Sequence, residues 1–419
     1  MDWLRKVLFL SRPVQSEEDE LYGRRFDLLP ESVKTRSQLL GRSTMGCEGT
    51  HKVFPKCSFS CKPCYHSKDA NMVAVDGDHT LSEVKKQLDF SKTVRGVGVH
   101  CQLIGGEVSL LDASVHGQVL AAMLDRGRIP MSFSHGDFDY DYLKGVAQSL
   151  NRVGIRHISF AAHFDKMMNG RRGNKRPESE ESLNPFRQRF CDMFVRLKEK
   201  DKLVDSFFLA HNMTVTPANV GEIPEVIRAL KKMRFSLMSH QPAAFIGDVT
   251  RWNDEFRTID SDYVWSKIEE GFGRPLPFRM LQMGDERCNR SVWGILVGDG
   301  YFPYLEEGDD EFRDAYFTVA RIQFTNPAVG KFIPFLRLVR IILQRPLQRL
   351  VLLLRYLYLL IFVRIGLWNL MINIRQTRPI TIVMHNFMDA ENVKQAHALN
   401  QRNEESRFDL FYIYIFSVS

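Results

Sequence analysis

The sequence predicts an α/β protein built on a parallel sheet, and three observations carry that prediction. Short apolar runs alternate with helical periodicity from His51 onward, polar clusters recur just after the runs, and 44% hydrophobic content in 419 residues can supply a real core. Residues 1–46 read as a charged lead-in, with "SEEDE" at 16–20 as an exposed stretch. Six strands are then predicted: "THKVF", "GVGVHCQLI", "IPMSFS", "IRHISFAA", "DSFFLAHNM" and "RFSLM". Between them lie amphipathic helices. Leu81, Val84 and Leu88 share one face, and Thr80 with Glu83 forms a capping box at its start. Leu143, Val146 and Leu150 mark a second helix, Phe186, Phe190, Met193 and Leu197 a third, and Val226, Ile227 and Leu230 a fourth.

Composition narrows the function classes. Seven cysteines in a chain of this length are too few for a disulfide scaffold, and the odd number argues against full pairing. A reducing intracellular compartment follows, cytoplasmic by default, with an organelle or peripheral membrane association as alternatives. The opening "MDWLRKVLFLSRP" has charges inside a very short apolar run and no small-residue cleavage site, which argues against a secretory signal. The net charge of +7 includes scattered arginines near the C-terminus, without a basic run interleaved with aromatics, so nucleic acid is not an expected partner.

In parallel βα architectures, functional groups gather on loops at the carboxyl ends of strands. Here the cysteines of "KCSFSCKPCYHS" follow the first predicted strand, Gly105-Gly106-Glu107 the second, Ser134-His135-Gly136 the third, and His163-Phe164-Asp165 the fourth. Three thiolates can hold three irons of a four-iron, four-sulfur cube and leave the fourth open to substrate. The same residues also suit zinc: Cys61 and Cys64 form a CxxC that Cys57 with His66 or Cys47 could complete. Spacing alone leaves the two readings even.

The C-x3-C-x2-C spacing of Cys57, Cys61 and Cys64, followed one strand later by Gly-Gly-Glu, resembles the radical S-adenosylmethionine (radical SAM) superfamily, over roughly residues 47–300. The resemblance implies a partial (β/α)6 radical SAM barrel, a [4Fe-4S] cluster held by Cys57, Cys61 and Cys64, and S-adenosylmethionine chelated by the open iron. It implies that an external electron donor reduces the cluster, and that the cleaved cofactor yields a 5′-deoxyadenosyl radical that abstracts hydrogen from an unidentified substrate: a peptide, small metabolite or lipid. Gly105, Gly106 and Glu107 match the contact to the methionine amino group, Ser134 the third-strand polar turn, and Ser159 a ribose contact. Two positions depart from the pattern. Pro63 replaces the usual aromatic before the third cysteine, with Tyr65 after it, which leaves the adenine contact open, and Val108 replaces the proline that commonly follows Gly-Gly-Glu.

The remaining residues take plainer readings. Cys101 and Cys191 are expected as packed thiols. "MGDERCNRSVWGILVGDGYFPYL" resembles SPASM-like extensions, but no cysteine follows Cys288, so an auxiliary cluster lacks local ligands and one cluster is expected. His163, Asp165, His211, Asn212 and His240 are expected to line the barrel. The domain reading is a core over 47–250, a post-barrel extension over 251–330, and an apolar, basic helical segment with an atypical tail over 331–419. Arg349, Arg355 and Arg364 interrupt the apolar run, which disfavours a spanning helix. Packing of 333–374 on the barrel is placed ahead of peripheral membrane contact. The tail "RFDLFYIYIFSVS" is read as an edge strand or the product of an altered gene.

Overall fold

Six strands follow one another as parallel neighbours in the order of the chain: β1 (Cys47–Thr50), β2 (Val99–Leu103), β3 (Arg128–Ser134), β4 (His157–His163), β5 (Ser206–Val215) and β6 (Leu237–Pro242). The computed structural model describes residues 29–40, 47–50, 54–64, 68–95, 99–245, 249–319 and 332–387, with isolated residues between 20 and 42. The tail "RFDLFYIYIFSVS", Tyr65 and His66 lie outside the described residues, as does the side chain of Cys47.

Each parallel step needs a crossover, and helices supply most of them. These are α1 (Gly77–Arg95), α2 (Ala113–Asp125), α3 (Tyr140–Asn151), α4 (Asn184–Glu199) and α5 (Ile223–Leu230), with α6 (Ser261–Phe272) after β6. The three amphipathic patterns at 143–150, 186–197 and 226–230 fall on α3, α4 and α5. The capping box does not form. Helix α1 starts three residues before Thr80, Asp76 accepts the His79 backbone N–H at 3.0 Å, and Thr80 Oγ1 is buried without a hydrogen-bond partner. Glu83 instead pairs with Lys86 on the solvent side.

One core joins the helices to the sheet. Leu88, Val119, Val146, Phe194, Ile227 and Ile268, one from each helix, pack in a single cluster with Leu103, Phe160, Leu209, Met213 and Met238 of the strands. Each such side chain contributes roughly 1.5–3 kcal/mol by leaving water. Because strand side chains alternate, the opposite face of the same strands carries Gln102, Phe133, Ser159, His163, Asn212 and Ser239. That face is far more polar than the helix face.

The sheet continues beyond β6. β9 (Arg378–His385) adds in parallel beside β6, and the hairpin β7 (Asn289–Val297)–β8 (Gly300–Pro303) adds antiparallel beside β9. The full order is β1-β2-β3-β4-β5-β6-β9-β7-β8, with β1 and β8 at the two ends, so closure into a barrel is not formed by the described strands. The mostly parallel α/β sheet expected from the sequence is present. Residues 29–40 of the lead-in dock on the segment before β7: Leu39 N–H donates to Gln282 O at 2.7 Å, and Leu39 packs with Met280, Leu281 and Leu305.

Candidate functional site

The cysteine loop is pinned from two sides by backbone hydrogen bonds. On one side the turn after β2 reaches it: Gly106 N–H donates to Phe54 O at 2.7 Å and Glu107 N–H to Lys56 O at 2.9 Å. On the other, the loop after β4 accepts Ser60 N–H at Asn169 O (2.8 Å) and Lys62 N–H at Met167 O (3.3 Å). The approach at Gly106 leaves no room for a side chain, since an added Cβ would fall 2.0 Å from Lys56 O. Glycine is required there by contact, not by dihedral angle.

Glu107 sits beneath that contact, buried and held by the chain. Its Oε1 accepts Ser109 N–H at 2.9 Å and Ser134 Oγ–H at 2.7 Å, and its Oε2 accepts His135 N–H at 2.8 Å. A carboxylate has about four lone-pair positions, so roughly one acceptor position remains for a ligand N–H. His135 Nε2 lies 3.4 Å from Oε2 and 2.9 Å from Ser58 Oγ, and its ring stacks on Phe59 at 3.9 Å. Burial holds His135 below its ordinary pKa, with Glu107 opposing. Ser134 and Glu107 are thus brought together, and His135 ties both to the cysteine loop.

The thiols are half-buried and mutually coupled. Burial pushes Cys57 up to about 12, and Glu107 and Cys64 push the same way. Burial also raises Cys61 well above its ordinary value, with Asp165, Cys64 and Cys57 adding to it and Arg251 opposing. Cys57 Sγ accepts Phe59 N–H at 3.4 Å. Cys101 and Cys191 are buried core thiols, as expected, and the described cysteines are all free.

Among the described residues, no three His, Cys, Asp or Glu side chains converge closely enough to hold one metal ion. Ligands of a single zinc at about 2.3 Å must crowd within roughly 4 Å of one another, whereas cube ligands bind separate irons and stand farther apart. Cys57, Cys61 and Cys64 are free thiols on one loop, and three sulfur donors are what a cube with one open iron takes. His66, the fourth ligand of the zinc reading, lies outside the described residues.

Strand alternation sorts the histidines. His163 faces the polar side, where Nε2 lies 2.7 Å from Asp165 Oδ2 and 2.9 Å from Thr214 Oγ1, while Nδ1 meets Asn212 Nδ2 at 3.2 Å. Asn212 Nδ2 also donates to Gln241 Oε1 at 3.2 Å. Asp165 is buried and fixed by Met167 N–H and Thr214 N–H. Ser159 shares the polar face and is nearly buried. His211 and His240 do not line this face. They alternate with it and lie in the helix-side core, where His211 Nε2 accepts Arg187 Nε–H at 3.0 Å between Phe164 and Phe235. Their residue type suggested a site, but strand parity put them on the other side.

Two arginines were not singled out from sequence. Arg171, buried against Phe59, Phe164 and Phe186, donates to His135 O at 2.8 Å and so braces the turns after β3 and β4. Burial lowers it to about 10, still cationic at neutral pH. Arg251, from the loop after β6, is nearly buried and places its charge near Cys57 and Cys61. Its distance in sequence from the cysteines hid it.

No family model matches the chain, and no curated protein does. Among solved structures the chain is similar to Streptococcus suis SuiB at 12% identity and a TM-score of 0.32, over 47% of this chain and 40% of that one. The likeness spans less than half of that chain and, at that TM-score, bears on neither fold nor chemistry.

Proposed function

We propose that the protein is a radical S-adenosylmethionine enzyme with one site-differentiated [4Fe-4S] cluster held by Cys57, Cys61 and Cys64. The observation that carries the reading is the juncture of three separate loops: the cysteine loop after β1, Gly105-Gly106-Glu107 after β2, and Ser134-His135 after β3, joined through Glu107. When bound, such a cluster supplies one electron for reductive cleavage of S-adenosylmethionine. The chain's own part is to bind and orient. Glu107, with one acceptor position left, takes a ligand ammonium hydrogen bond, and the Gly105-Gly106 backbone permits close approach. Ser159 and the His163–Asp165 pair face the polar side of the sheet, where a substrate would be received. An external electron donor and a substrate of unassigned class complete the proposal.

The competing reading is a zinc-binding module, which leaves the Gly-Gly-Glu juncture without a role. Electron paramagnetic resonance on anaerobically reconstituted, reduced protein separates the two. A reduced four-iron signal that changes on adding S-adenosylmethionine is expected. Zinc occupancy without a cluster signal overturns the proposal.

A further inference from the structure

After β8 the chain leaves the sheet through α7 (Asp310–Val319), passes through α8 (Phe332–Gln344), α9 (Pro346–Tyr358), a π-helical continuation (Leu359–Ile365) and α10 (Leu367–Ile372), and returns as β9. Packing on the barrel, the leading expectation for this segment, is met along one side only, and 6% of the best apolar window within Pro346–Ile365 is buried. Leu347, Leu350, Leu354, Tyr358 and Phe362 form one exposed stripe at helical spacing, and Trp368 beyond it is 73% exposed. Residues 332–376 contain seven arginines and no acidic residue. Arg364 pairs with Asp309 and Arg355 with Glu311 of the α/β body, while Arg345 and Arg375 are exposed. We propose that this surface docks flat on an anionic lipid bilayer, with the apolar stripe in the interface and exposed arginines such as Arg345 and Arg375 at the headgroups.

The opposite stripe is already occupied. Tyr356 packs on Phe312 and donates to Tyr304 O at 2.9 Å, Leu360 and Ile365 pack with Val297, and Arg364 pairs with Asp309 at 2.7 Å. The helix is therefore fastened to the α/β body over Tyr356–Ile365, which leaves the other side for a flat contact. By length and composition Pro346–Ile365 could cross a membrane, contrary to the expectation from its arginines. Topology opposes crossing. β9 pairs with both β6 and β7, so an odd number of crossings would separate it from its partners. A second span is lacking among the described residues, since the 13 residues of α8 reach about 20 Å against roughly 30 Å of hydrocarbon. Arg355, central in the helix, is costly in hydrocarbon as well.

Anionic lipid is the occupant that the charge selects, because a second copy would set these arginines against one another.

The test is flotation of the full chain with vesicles of phosphatidylcholine containing about 30% phosphatidylserine, and with phosphatidylcholine alone. Binding to the anionic vesicles, weak binding to the neutral ones, and release in about 1 M salt are expected. Arg345→Gln with Arg375→Gln should weaken binding about 25-fold, near fivefold per arginine. Leu347→Glu with Trp368→Glu should weaken it at least about tenfold. Both pairs are exposed, so unchanged melting curves certify folding. Three results overturn the proposal: equal or no binding to both vesicle types, resistance to alkaline carbonate extraction, or a homodimer that the same variants dissociate.

Discussion

Gly106→Ala is the sharpest test of how the cysteine loop is held. A Cβ at Gly106 would meet Lys56 O at 2.0 Å, Lys56 C at 2.3 Å and Pro55 O at 2.4 Å, all backbone atoms, whereas ordinary contact begins at 3.4 Å. The loop must therefore retreat by about 1.4 Å or the turn after β2 must open, and either move breaks the hydrogen bonds at Phe54 O and Lys56 O. Overpacking of this kind costs about 1–3 kcal/mol, with the lost hydrogen bonds adding to it. Two controls grade the effect. Gly105→Ala meets Phe54 O at 3.0 Å and needs a shift of a few tenths of an ångström, while Gly221→Ala meets nothing within 4 Å. The assay is thermal melting together with alkylation rates of Cys57 and Cys61 followed by mass spectrometry, neither of which needs a bound cluster. Gly221→Ala should match the parent, Gly105→Ala should differ slightly, and Gly106→Ala should melt lower and label at least about tenfold faster as its thiols lose cover. Parent-like melting and labelling in Gly106→Ala would refute the claim that this contact fixes the loop.

Three further outcomes are expected. Glu107→Gln places an amide N–H₂ against one of the donors Ser109, Ser134 or His135, which should cost about 1–3 kcal/mol in denaturant melts and weaken S-adenosylmethionine binding by calorimetry; unchanged affinity would remove Glu107 from the proposed site. Glu180→Gln strips the buried partner of Arg187, whose Nη2 lies 2.6 Å from Glu180 Oε2, and should cost about 3–5 kcal/mol, part of it restored by Glu180→Leu with Arg187→Met. Burial holds His116 and His240 at about 4, below the 6.5 of the unfolded chain, with Glu107 partly opposing at His116 and Arg187 assisting at His240. The unfolded state then binds more protons, so stability is full above about pH 6.5 and falls toward pH 4, by about 3 kcal/mol per histidine at most. A flat stability profile across that window, in denaturant melts at stepped pH, would contradict neutral burial of both rings.

Much of the fold was legible because it is written in periodicity. Helices α3, α4 and α5 sit where their apolar spacing placed them, four of the six predicted strands overlap the observed ones closely, and the sixth, "RFSLM", shares Leu237 and Met238 with β6. The first differs: β1 is Cys47–Thr50, and Phe54, the last residue of "THKVF", gives its carbonyl to Gly106 N–H of the Gly-Gly-Glu turn. The start of α1 also differs, since Asp76 competed successfully with Thr80 for the cap. β9 was missed because "RPITIVMH" follows a long helical apolar stretch and pairs only with residues about 90 and 140 positions earlier.

The sequence alone determined the residue types of the candidate site and their order along the chain: three closely spaced cysteines, then Gly-Gly-Glu, then Ser-His-Gly, each after an apolar run. Those are local signals, and local periodicity carries them. Tertiary structure decided what local pattern cannot hold. It put Glu107 under Ser134 and His135, brought Arg171 and Arg251 toward the cysteine loop, and turned His163 to the polar face while burying His211 and His240 on the other. It also left the arginine-rich helices uncovered, because packing depends on which surfaces the rest of the chain has already used, and the β8 edge had room for only one stripe of them.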